Sequence, residues 1–150
     1  MIDIEKKVIV LCYANFCRSP VAEKILNQKG FKKIEFTSYG IDPLPYSKMD
    51  DRSINYLSNI NIIDTNHIPR KITHTAIKNS SLVLCMDHHL LLTVNKQFPN
   101  YVKKIKLFTF KNLRTRIEDP YRFDDDAYVH VMSKILAICE DFNEEDFFNH

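Results

Sequence analysis

The chain has 150 residues, 45% of them apolar and 27% charged, enough for one domain that buries a core without disulfide or metal staples. Lys plus Arg number 21 against 19 Asp plus Glu, a net charge of +2, too even for a protein whose main task is holding nucleic acid or a membrane surface. The apolar run at residues 8–13 is far short of the ~20 residues that span a bilayer. The mixed charges of residues 3–7 do not open a secretory signal, so a cytoplasmic protein is expected.

Residues 6–13 read as a strand whose run Val8-Ile9-Val10-Leu11 suits burial on both faces, as in a parallel sheet. Ser19 is a natural N-cap and Pro20 a natural first-turn residue for the helix that follows. Val21, Ala22, Ile25 and Leu26 recur at helical spacing there, and Gly30 stops the helix. Residues 34–39 form a second strand closed by Gly40, and Pro43 and Pro45 mark a loop in which Tyr46 is a further candidate for a pocket wall. A helix is predicted over 50–58 with Ile54 and Leu57 on one face, and a short one over 73–80. Residues 82–86 are a third buried strand, 87–98 a helix headed by an acid, and 105–108 a fourth strand. After a loop to about Phe123 the last helix starts near Asp124, with Val129, Met132, Leu136, Cys139 and Phe142 as its core stripe. The acidic residues beyond, from Glu140 to Asp146, read as solvated helix end and fray.

Strands alternating with helices over residues 1–150, without repeat or linker, predict a single α/β domain: a four-stranded parallel sheet with helices on both faces. Such sheets bind ligands at the carboxyl ends of their strands. Four scattered cysteines, Cys12, Cys17, Cys85 and Cys139, make no disulfide framework, and no second close Cys or His pair completes a zinc set. No metal and no cofactor are expected. Only Gly30 and Gly40 exist, which excludes the glycine-rich dinucleotide fingerprint and the Walker lysine loop.

The first strand–helix junction reads Cys12-Tyr13-Ala14-Asn15-Phe16-Cys17-Arg18-Ser19-Pro20. Curled between a buried strand and a helix start, such a loop turns its amides into an anion nest, with the positive helix end behind it. Arg18 supplies a planar fork for two phosphate oxygens. Cys12 lies where that positive field favours the nucleophilic thiolate, Ser19 is placed to hydrogen-bond it, and Asn15 suits bracing the loop or an unusual backbone angle. Taken singly, each residue is ordinary: a small buried cysteine, a surface cation, a helix cap. Their conjunction at this junction is not. An aryl phosphate leaves as a phenolate of pKa ~10, so a proton donor is needed. Asp119, followed by Pro120 and the aromatic Tyr121, is the best placed; Asp124, Asp125 and Asp126 are explained by the helix start.

These two segments make the chain similar to the low-molecular-weight protein tyrosine phosphatases, particularly the short bacterial type. Weaker echoes are Ser38-Tyr39-Gly40, Asp51-Arg52, the stretch 67–71 and Leu84-Cys85-Met86-Asp87. The resemblance implies a cysteinyl-phosphate mechanism on a phosphotyrosine-containing protein, with Cys12 as nucleophile, Arg18 and the amides of residues 13–17 on the phosphate, and Asp119 as general acid and base. It also implies a reversible Cys12–Cys17 disulfide that shields the nucleophile. A monomer or weak dimer is expected. Ala14 departs from the family's usual glycine; a positive φ there would cost alanine ~1 kcal/mol, so a loop of modestly reduced stability or rate is expected. Tyr13, bulkier than the usual aliphatic residue, is expected at the pocket rim. Phe16 favours a phenyl ring over the phosphoarginine that related phosphatases accept beside a small polar residue.

Three other readings compete. Arsenate reduction on this fold needs a three-cysteine relay, but no cysteine follows Cys85 until Cys139. A catalytically silent phosphate-binding module would not need nucleophile, arginine and acid together. Lys103, Lys104, Lys106, Lys111, Arg114 and Arg116 could be a nucleic-acid patch, but solvated cations flanking a strand account for them.

Overall fold

The structure, a computed structural model, describes residues 3–43, 45, 48–148 and 150; Tyr46 lies outside the described residues. In chain order the elements are β1 (Lys6–Cys12), α1 (Arg18–Gln28), β2 (Ile34–Gly40), α2 (Asp51–Asn59), α3 (His74–Lys78), β3 (Leu82–Cys85), α4 (His88–Gln97), β4 (Ile105–Leu107) and α5 (Asp125–Asp141). Short 3₁₀ helices cover Pro99–Lys104 and Glu144–Phe147. None of the described helices is long and apolar enough to cross a membrane.

The four strands are parallel in the order β2-β1-β3-β4, with Cys12 opposite Gly40 and Leu11 opposite Cys85. Val8 to Cys12 are buried, as a central strand covered on both faces requires. The chain leaves β1 for β2 in one direction and returns past it to β3 in the other. Right-handed crossovers therefore put α1 and α4 on opposite faces, and α5 packs beside α1. The point where the direction reverses is the carboxyl end of β1, where such sheets open a crevice.

The helix starts expected at residues 50, 73, 87 and near 124 hold, and in each a side chain caps the first turn. Asp50, Thr73, Asp87 and Asp124 each accept a first-turn amide hydrogen bond. The first helix differs. It begins at Arg18, and its N-cap is Cys17 with no capping side chain. Ser19 is not the cap, because its hydroxyl serves the loop instead, and Pro20 falls at the third helical position, still within the turn whose amides lack intrahelical partners.

The core stripe of α5 is also rotated from the predicted one. Tyr128, Val131, Met132, Ile135 and Cys139 are buried, while Val129 is 47% exposed and Leu136 only half-buried. The phase follows Tyr128, whose hydroxyl meets Ser53 Oγ of α2 and whose ring carries the Arg52 guanidinium. Nor is the acidic tail frayed. Phe147 is 2% exposed and packs on Phe36 and Phe142, with ring centroids 5.1 and 4.9 Å away. Asp146 accepts from the Asn143 amide and pairs with Lys111, both at 2.8 Å. Lys29 donates to the carbonyls of Cys139, Glu140 and Phe142, which offsets the acids at the negative end of α5. Two cations of the basic stretch are likewise structural: Lys104 caps the carbonyls of Lys78 and Ser80, and Lys111 holds the tail.

Candidate active site

Residues 13–17 turn the chain from β1 into α1. The left-handed residue of this turn is Asn15, with φ +52°, and not Ala14; the strain expected at Ala14 is absent. Asparagine tolerates this region because its short amide can bond locally. Here the amide is fully engaged. Nδ2 donates to Ser19 Oγ at 2.9 Å and to Ser38 Oγ at 3.0 Å, and Oδ1 accepts from the Arg70 amide at 3.0 Å. The side chains of Asn15 and Ser19, both fully buried, therefore brace the loop from behind.

The loop's carbonyls are tied outward. That of Tyr13 accepts from the Asp42 amide, that of Phe16 from the Asp50 amide, and that of Cys17 from Ser53 Oγ, each at 2.9 Å. The Asn15 carbonyl meets His67 Nε2 at 2.7 Å. Burial pushes the His67 pKa below its ordinary value, so at neutral pH the ring is uncharged with Nε2–H as donor. In a planar peptide the carbonyl of one residue and the amide of the next point opposite ways. The amides of Ala14, Phe16, Cys17 and Arg18 are thus turned away from these anchors, the arrangement of an anion nest. Gly40 allows the close approach beneath: a Cβ there would lie 2.8 Å from the Asn15 nitrogen and 2.9 Å from the Ala14 carbonyl carbon.

Cys12 is 2% exposed, and its Sγ lies 2.9 Å from Ser19 Oγ. Burial pushes the Cys17 thiol well above its usual pKa, with the charges of Asp50 and Cys12 adding to it against a bond from Tyr128. Cys17 is held as a neutral thiol facing Asp50 Oδ2 at 3.8 Å. Burial does the same to Cys85 and Cys139, which lie in β3 and α5 and do not line the site. A three-cysteine relay therefore has no place here, and arsenate reduction is not favoured.

Arg18 is 2% exposed, its guanidinium fixed at Nη1 by Asp87 Oδ2 and the Ile117 carbonyl, both at 2.8 Å. The Ile117 contact brings the Asp119 loop to the site. Asp119 is exposed, and its Oδ1 accepts from the Tyr121 amide at 3.1 Å. Arg52 holds the far side of that loop, donating to the carbonyls of Tyr121 and Phe123, each at 2.9 Å. The same guanidinium grips both Asp50 oxygens. Burial raises the Asp50 pKa, but these bonds outweigh it and hold the carboxyl below the usual range.

Together Cys12, Tyr13, Ala14, Phe16, Cys17, Arg18, Asp42, Asp119, Tyr121 and Arg122 line one cavity of about 300 Å³. The Phe16 and Tyr121 rings meet edge-on at its wall, with centroids 6.1 Å apart. Asp124 caps α5, which is the structural role foreseen for it. Sequence reasoning gave no site role to Asp87, Arg52, Asp42 or Arg122. Asp87 and Arg52 carried a signal only as short echoes of a family pattern, because Arg18, which Asp87 holds, and the loop carbonyls that Arg52 holds are 69 or more residues away from them.

A thiol at the foot of an amide-lined loop, an arginine fork behind it and a carboxyl group overhanging it are the parts of a cysteine-based phosphomonoesterase. The profile of the family described as low molecular weight phosphotyrosine protein phosphatase matches residues 7–146, and the chain belongs to that family; it is a phosphatase. It is 30% identical over 135 residues to the low molecular weight protein-tyrosine-phosphatase Etp of Escherichia coli K12, covering 90% of each chain. It also superimposes on Vibrio vulnificus Wzb in complex with benzylphosphonate, with a TM-score of 0.83 at 26% identity, over 90% of this chain and 94% of that one. The YwlE arginine phosphatase from Geobacillus stearothermophilus shares the fold, with a TM-score of 0.85 at 20% identity over 97% of both chains. The fold alone thus does not choose the phosphorylated residue; the cavity wall must.

Proposed function

We propose that the enzyme hydrolyses phosphotyrosine in proteins through a cysteinyl-phosphate intermediate. The observation that carries this is the convergence of Cys12, Arg18 and Asp119 on one cavity walled by Phe16 and Tyr121. The loop amides and the remaining N–H edge of Arg18 bind the phosphoryl oxygens and stabilise charge as it spreads in the transition state. The Cys12 thiolate attacks phosphorus, the P–O bond to the ring breaks, and Asp119 gives its proton to the departing phenolate. Asp119, now a carboxylate, takes a proton from water as its oxygen displaces phosphate from sulfur. The Ser19 hydroxyl, 2.9 Å from Sγ, stabilises the sulfur as it regains its charge.

Tyr13, Phe16 and Tyr121 provide flat apolar surface for a phenyl ring, which supports phosphotyrosine over phosphoarginine. A thiol nucleophile with four free cysteines suits a reducing compartment, which supports a place in the cytoplasm. The test is hydrolysis of a phosphotyrosine peptide and a phosphoarginine peptide by wild type, Cys12→Ser and Asp119→Asn. Turnover of the first peptide only, abolished in Cys12→Ser and falling at least ~10²-fold in Asp119→Asn, is expected. An active Cys12→Ser enzyme would refute the mechanism, and preference for phosphoarginine would refute the substrate.

A further inference from the structure

Residues 108–124 contain no helix or strand, so the loop that carries Asp119 depends on side-chain anchors. Arg18 holds the Ile117 carbonyl and Arg52 holds the carbonyls of Tyr121 and Phe123. A third cation holds the upstream side. Lys134 Nζ, on α5, donates to the Arg116 carbonyl at 2.9 Å and to the two Glu118 carboxylate oxygens at 2.7 and 2.9 Å. An ammonium has three protons and no acceptor, and here it meets three oxygens. Burial raises the Glu118 pKa, but the bonds from Lys134 and from its own amide outweigh it, so Glu118 is ionised at neutral pH.

An isolated surface ion pair contributes little, because two long side chains must be ordered to make it. This one differs in what it orders. Lys134 is 24% exposed and stands on a helix already fixed in the core, and it clamps backbone as well as side chain. Arg116, Ile117 and Glu118 are therefore anchored in succession, and Asp119 is the first residue beyond them. Its carboxyl is exposed, and the Tyr121 amide contact that orients it lies within the same loop.

We propose, on the assignment of Asp119 as general acid, that Lys134 is a positioning residue for that acid. Without the clamp Glu118 swings outward, and Asp119 is displaced from the leaving-group oxygen. Misplacement by about 1 Å can cost up to ~10²-fold in rate. The loss falls on the step that needs the proton, not on phosphate binding.

The test is kcat/KM across a series of aryl phosphates of rising phenol pKa, for wild type, Lys134→Met, Lys134→Arg, Glu118→Gln and Asp119→Asn. A phenolate that leaves well needs little protonation, so an impaired acid steepens the decline along the series. Wild type should be nearly flat and Asp119→Asn steep. Lys134→Met and Glu118→Gln should lie between, with a loss of about tenfold at the phenol end, and Lys134→Arg should return toward wild type. A wild-type slope in Asp119→Asn would remove the acid assignment itself. A steep Asp119→Asn with a flat Lys134→Met, or a uniform loss across the series, would overturn the positioning role and leave the acid standing. Should Lys134→Met fail to fold, Glu118→Gln carries the same test.

Discussion

Replacing Gly40 with alanine puts a methyl group where there is no room for it. The new Cβ would sit 2.8 Å from the Asn15 nitrogen, 2.9 Å from the Ala14 carbonyl carbon and 2.9 Å from the Tyr13 oxygen. Ordinary contact starts near 3.4 Å, so about 0.6 Å of separation has to be found. All three atoms are backbone, and the loop they belong to is tied outward through the carbonyls of Tyr13, Asn15, Phe16 and Cys17, so no rotamer change relieves the clash. On the other side Gly40 is held by its own amide to Arg70 and its carbonyl to Ile72, both at 2.8 Å. Overpacking of this kind costs about 1–3 kcal/mol. The displacement falls on the amides proposed to bind phosphate, where tolerance is smaller still. Gly40→Ala should lose about 10–100-fold in kcat/KM for an aryl phosphate, with a lowered urea midpoint. Phosphate or vanadate affinity, read by titration, should weaken in parallel. A variant with wild-type kinetics and midpoint would refute the reasoning that Gly40 sets the position of the loop.

Ala14→Gly should give no gain, because the left-handed residue is Asn15; kcat/KM should stay within about twofold and stability should fall by about 0.5–1 kcal/mol through the freer unfolded chain. A faster and more stable variant would show that Ala14 is strained after all. Phe147→Ala should cost about 3–4 kcal/mol in urea unfolding, since the ring is buried against Phe36 and Phe142; a loss below about 1 kcal/mol would mean a frayed tail. His67 should titrate below the ordinary histidine value of about 6.5 in an NMR pH series. Because its folded pKa is depressed, the stability it contributes is present above the unfolded value and is lost as pH falls through the folded one, so wild type should lose more stability than His67→Gln as pH falls from about 7 to 5.

The sequence by itself determined what is local. The unbroken run Val8 to Leu11 marks a strand buried on both faces, and acids or a hydroxyl at positions 50, 73, 87 and 124 start the helices where first-turn amides lack partners. Cys12 and Arg18 are six residues apart, so the pairing proposed to carry phosphate chemistry is local enough to suggest itself from spacing, and Asp119 was suggested by its place after the last strand; the structure brings all three to one cavity. Only the tertiary structure decided which residues share a point in space. Whether Ser19 caps its helix or turns to Cys12, and whether Ala14 or Asn15 takes the left-handed angle, depends on Ser38, Arg70 and Gly40 arriving from other elements. The phase of α5 was set by Tyr128 meeting α2, against a helical periodicity that fitted a neighbouring face almost as well. Asp87 acquires its role from the donor Arg18, and Arg52 and Lys134 from loop acceptors, 16 to 71 residues distant. Periodicity and capping act within a turn or two of chain, whereas the partner of a charged side chain is chosen by the packing of helices and strands that brings its acceptor within 3 Å.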